Sequence, residues 1–187
     1  LRIRPDGRMI QVKYVLSYDS ALLSDYAFAP NTGTAHFHVA GCQWMLPVGN
    51  INDTIHYKIT IGRYPPNWKL YSSISSNALS LNIRSTYRKL ISSAMGGVES
   101  KNFKTFFIKG KPVSVSIAGD FAMGKDPIFN ALHKIVSSQR DWFNDYEQEF
   151  YHIAINPKPD VLSGTSVNNL FVCFAKTQAR PAELFNL

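Results

Sequence analysis

Apolar and polar residues alternate along several stretches of the chain, and the alternation predicts strands. From Met9 to Ser17, Ile10, Val12, Tyr14 and Leu16 interleave with Gln11, Lys13 and Ser17, the period of two expected of a half-buried strand. Thr54 to Ile61 repeats the pattern: Ile55, Tyr57, Ile59 and Ile61 face one way, His56, Lys58 and Thr60 the other, and Gly62 with Pro65-Pro66 ends the run. Shorter extended pieces fit at Ala35–Val39, Gln43–Leu46 and Lys69–Ser73. Near residue 85 the period changes. Ser85 can cap a helix running through Tyr87, Leu90 and Ile91 to a Gly96-Gly97 stop. Phe103–Ile108 and Pro112–Ala118 then read as strands joined by Lys109-Gly110-Lys111. The strongest helical signal follows, with Asp126 as N-cap, Pro127 in the first position and a stripe of Ile128, Phe129, Leu132, Ile135 and Val136 continuing towards Trp142 and Phe143. Strands at Glu149–Ile155 and Asn169–Ala175 close the pattern, the second apolar on both faces as in a sheet covered on both sides, and Arg180-Pro181-Ala182-Glu183 reads as the opening of another helix. The pattern predicts an α+β protein: an antiparallel β-sandwich over residues 1–85, then a mixed sheet with one or two helices over 86–187.

Composition narrows the function classes. With 45% hydrophobic and 13% aromatic residues the chain buries a real core and is not a disordered tail. No apolar run approaches the roughly 20 residues of a membrane span, and Leu1 leads into Arg2-Ile3-Arg4 without the apolar core of a signal peptide, so no membrane partner is expected. A net charge of +7 raises nucleic acid as a partner. Yet the basic residues are scattered along the chain, with only Arg84/Arg88/Lys89 and Lys101/Lys104/Lys109/Lys111 near to clustering, so nucleic acid is not expected. Cys42 and Cys173 match no zinc or redox spacing and read as two buried thiols.

No complete catalytic constellation is present. The five histidines form no His-Glu-x-x-His pair; His36 and His38 project from one strand face and could share a metal, but no acidic or cysteine ligand accompanies them. No Gly-x-Ser-x-Gly elbow occurs, and Gly96-Gly97 and Gly119–Gly124 have the wrong spacing for a phosphate loop. The acidic run Asp145, Glu147 and Glu149 reads as a solvated helix end.

Taken in order, Val12–Asp19, Pro66-Asn67-Trp68-Lys69-Leu70, Tyr87–Ser92 and Ile117-Ala118-Gly119-Asp120 resemble segments of the glycyl aminopeptidases of metallopeptidase family 61, which pair an N-terminal β-domain with a thermolysin-like zinc domain. Ser92-Ser93-Ala94 stands where that family has an Asp-Ser-Pro stop. The resemblance implies that Gly164, Thr165, Ser166, Val167, Asn168 and Asn169 fall where the family often has Gly-Gly-Leu-Glu-His before a strand lining the substrate cleft, whose edge hydrogen-bonds the peptide backbone. Val167 and Asn168 then replace the acidic residue and the histidine, and the same stretch also reads as a Gly-Thr-Ser turn entering a buried strand. Pro181 to Leu187 resembles the first turns of the family's zinc-bearing helix. The resemblance thus implies the non-catalytic, substrate-side front portion of a peptidase, with peptide as the parent's substrate, zinc as its cofactor and no activity in this chain alone. A homo-oligomer covering the sheet face left bare by the missing helix is a further expectation. The alternative is a self-standing peptide- or protein-binding module on the same scaffold.

Overall fold

The computed structural model describes residues 30–180 and 183, apart from 48, 160 and 161. The expected strand at Met9–Ser17 and the helix expected from Pro181 lie outside the described residues. In chain order the elements are β1 (Asn31–Thr32), β2 (His36–Ala40), α1 (Gly41–Trp44), β3 (Thr54–Thr60), β4 (Trp68–Ser72), β5 (Ser80–Thr86), α2 (Tyr87–Ile91), β6 (Ala94–Glu99), β7 (Phe103–Ile108), β8 (Lys111–Ile117), α3 (Lys125–Phe143), β9 (Tyr151–Pro157), β10 (Ser163–Val167) and β11 (Leu170–Ala175). The protein is α+β as expected, with antiparallel strands in its first half and a mixed sheet with one long helix in its second.

The first sheet has the order β1-β2-β6-β4, antiparallel throughout, while β3 and β5 form a separate two-stranded ladder. In β3 the predicted alternation holds, Ile55, Tyr57 and Ile59 being half-buried and the residues between them exposed. The second sheet has the order β10-β11-β9-β8-β7. Its three inner strands run parallel and its two outer strands antiparallel. Helix α3 makes the crossover between the parallel strands β8 and β9, as such a connection requires. One face of this sheet packs Val113, Val115, Ile117, Ile153, Ile155 and Cys173 against Ile128, Phe129 and Val136 of α3. The other face sends Ala154, Leu170, Val172 and Phe174 towards Tyr71 and Ala94 of the first sheet. β11 is therefore covered on both sides, which explains its unbroken apolar run.

Several expectations need correction. Gly96-Gly97 does not stop a helix; α2 ends at Ile91, and both glycines lie inside β6, between β2 and β4. The reason is space: a Cβ on Gly96 would stand 2.3 Å from the Tyr71 hydroxyl oxygen and 2.5 Å from the Phe37 carbonyl oxygen. The cap of α2 is Thr86 rather than Ser85, its side chain accepting the Lys89 N–H. Gln43 belongs to the short helix α1 and not to a strand, its side-chain oxygen accepting the Ala40 N–H at 2.7 Å. Helix α3 starts after Gly124 (φ 75°), which places Asp126 and Pro127 inside the first turn, where the N–H that proline lacks has no helical partner in any case. Trp142 and Phe143, read as the continuation of the stripe, are 85% and 74% exposed because α3 ends there in the left-handed Asn144. Cys173 is buried, but Cys42 is exposed and both are free.

Gly41 joins the first sheet to α2. Its N–H donates to the Ser93 carbonyl at 2.7 Å, and a Cβ there would stand 2.0 Å from the Leu90 carbonyl oxygen. Gly41→Ala is expected to cost about 3 kcal/mol in chemical denaturation, because main chain must move. A loss below about 1 kcal/mol would mean that α1 shifts freely away from α2.

Candidate functional site

The seam between the two sheets is unusually polar for a core. His38 of β2 and His152 of β9 flank Tyr71 of β4: the Tyr71 and His152 rings stack at 4.3 Å, Tyr71 and His38 at 6.1 Å, and the His38 Nδ1 lies 3.0 Å from the Tyr71 hydroxyl. Phe103 stacks on the far side of His152 at 5.4 Å, and Phe174 meets His38 edge-on at 5.9 Å. The Ser116 hydroxyl is 2.9 Å from His152 Nε2. Burial lowers the His152 imidazole to about 3 and His38 to about 4, each pushed further down by a neighbouring histidine. Burial also raises the Tyr71 phenol above its ordinary range. At neutral pH the seam holds uncharged rings and hydrogen bonds, and these fix how the sheets meet.

Beside this seam opens a cleft of about 440 Å³. The first half of the chain supplies His38, Ala40, Cys42 and Ile91–Ala94, and the second supplies Thr165, Ser166, Val167 and Asn168 with Val172 and Phe174. Gly164 to Val167 lie in β10 and Asn168-Asn169 form the turn to β11, with Asn168 at φ 52° as the first residue of a tight hairpin requires. The Gly-Thr-Ser turn reading is thereby corrected: those residues are strand, and the turn comes later. Thr165, Ser166, Val167 and Asn168 are brought together in the cleft, whereas Gly164 and Asn169 are not. Gly164 lies under the Phe171 ring, 2.5 Å from where its Cβ would stand. Asn169 pins the seam instead, donating its N–H to the Ser73 carbonyl and accepting the His152 N–H at 2.8 Å.

β10 is the edge of its sheet, with no neighbour on its outer side among the described residues. Val167 and Leu170 flank the turn as a pair, so by the alternation of an antiparallel ladder Gly164 and Ser166 turn their main-chain N–H and C=O groups outward.

Sequence reasoning did not find His38, Cys42 and Ser92 as cleft residues. The paired His36 and His38 were visible, but as a metal reading, and that reading fails on geometry. His36 Nε2 lies 2.9 Å from Asn31 Oδ1, His38 is committed to Tyr71, and no group of three His, Cys, Asp or Glu gathers among the described residues.

No family model matches the chain, and no curated protein does. Solved structures do match. An aminopeptidase N family protein from Idiomarina loihiensis superposes with a TM-score of 0.62 at 17% identity, over 82% of this chain and 27% of that one. This chain shares the fold of that portion. An M1 zinc metallopeptidase from Deinococcus radiodurans bound to a Tyr-Ser-Ala substrate aligns at a TM-score of 0.45 and 15% identity, over 84% of this chain and 40% of that one. The chain thus spans well under half the length of either. The expected α+β fold is thus shared with the matched portion of the Idiomarina loihiensis protein. No helix among the described residues is long and apolar enough to cross a membrane.

Proposed function

We propose that this chain is the non-catalytic, substrate-side front portion of a zinc aminopeptidase of the glycyl-aminopeptidase type, whose parent removes N-terminal residues from peptides. The observation that carries the reading is the free edge of β10 beside the cleft. An extended peptide can add to that edge as a further strand, its main chain meeting the outward groups of Gly164 and Ser166 and alternate side chains entering the cleft towards His38 and Thr165. In this reading residues 1–85 form the β-domain and 86–187 the leading part of the thermolysin-like domain, with β6 lent back to the first sheet. The described residues offer no metal-ligand set, so zinc would be held by residues of the parent outside them and would there activate a water. No step of that chemistry is assigned to this chain.

A second reading, a peptide-binding module that has lost the chemistry, is favoured by Val167 and Asn168, which provide no carboxylate for a free amine. The coding sequence beyond Leu187 separates the two: a His-Glu-x-x-His motif supports the first, and its absence the second. Both require peptide binding at β10. A fluorescently labelled extended peptide is expected to bind saturably, and Ser166→Pro, which removes an outward N–H, to weaken it about tenfold. Equal affinity for Ser166→Pro would refute the edge-strand mode.

A further inference from the structure

The last turn of α3 carries a buried charge with no counter-charge among the described residues. Arg140 is 6% exposed, its Nη1 has no hydrogen-bond partner, and the guanidinium makes no ion pair among the described residues. A guanidinium cannot escape the cost of burial by losing its proton, so an unpaired one calls for a partner that the described residues do not supply. Beside it opens a cavity of about 350 Å³ lined by Gln139, Phe143, Asp145, Gln148 and Tyr151. The turn after α3 sets Asp145 there, its N–H donating to the Arg140 carbonyl at 3.1 Å, while its carboxylate is exposed and forms no ion pair among the described residues. The two opposite charges line one cavity without joining each other.

We infer that this cavity binds a small zwitterion with an apolar side chain, its carboxylate on the Arg140 fork and its ammonium on Asp145. The planar guanidinium matches a carboxylate bidentately, and the Gln139 and Gln148 amides add donors. Phe143, 74% exposed, offers the apolar wall. A phosphate dianion fits worse, because it would face the Asp145 carboxylate and the carbonyl end of α3. The zwitterion brings no net charge to that place. The cavity has the volume of a small-molecule site. It lies on the α3 side of the second sheet, and Tyr151 also lines a neighbouring cavity together with Ser166 of β10. The inference does not depend on peptide binding at the cleft.

Free amino acids and short peptides both carry this pair of charges, and titration of the 187-residue chain with leucine, leucyl-leucine and 4-methylpentanoate distinguishes them. Saturable millimolar binding of leucine or leucyl-leucine is expected, with shifted side-chain amide signals of Gln139 and Gln148 in NMR spectra; the tighter of the two names the source. Arg140→Gln should abolish it. Asp145→Asn, at an exposed position that leaves folding intact, should weaken the zwitterion at least about tenfold while leaving 4-methylpentanoate unchanged. Absence of saturable binding by either zwitterion, or binding that Asp145→Asn leaves unaltered, would overturn the proposal, whether or not Arg140→Gln folds.

Discussion

Acidification from pH 7 to pH 5 is expected to remove about 4 kcal/mol of folding stability, most of it at the seam between the sheets. In the unfolded chain His38 and His152 take up protons near their ordinary value of about 6.5. In the folded protein they stay neutral until about 4 and about 3, because burial disfavours the imidazolium. Between those limits the unfolded state binds more protons, so the stabilisation is complete above about pH 6.5 and is lost as the pH falls towards the folded values, at about 1.4 kcal/mol per unit for each histidine. The lowered carboxyls of Asp120 and Glu183 are solvent-exposed and stay ionised across this window. Urea midpoints at the two pH values read the effect, and His152→Gln should halve it. Equal midpoints for the unsubstituted protein would mean that the seam admits water and charge.

Phe129→Ala is expected to cost about 3–5 kcal/mol, whereas Trp142→Ala should stay within about 0.5 kcal/mol. Both residues belong to α3, and the difference lies in what they touch. Phe129 is 4% exposed in the cluster that joins α3 to the second sheet, with the Lys104 ammonium 4.7 Å above its ring. Trp142 projects into solvent. Denaturation midpoints shifted alike by the two substitutions would contradict the assigned face of the helix.

Strong local periods were legible in the sequence. The alternation in β3 and the stripe Ile128, Phe129, Val136 each gave an element of the right type and face. Failures came where long-range packing overrides local preference. Gly96 and Gly97 punctuate a sequence, but here they admit the Tyr71, Leu70 and Phe37 rings and chains into the middle of a sheet. β5 was missed although Leu79, Leu81 and Ile83 alternate with Ser80, Asn82 and Arg84; it pairs with β3 in a two-stranded ladder separate from the main sheets. The resemblance singled out Thr165 to Asn168, and these residues line the β10 half of the cleft. Its other half was not, because His38 and Cys42 reach the cleft only once β6 has carried α2 back beside β2, and no spacing in the sequence records that.

The central claim is that a peptide adds to the β10 edge, and amide chemical-shift mapping with an extended peptide tests it most directly. β7, the opposite edge of the same sheet, is the internal control. The account predicts shifts at Gly164 to Asn168 and at His38, with β7 silent. Shifts confined to β7, or none at β10 when the peptide is in excess, would contradict it.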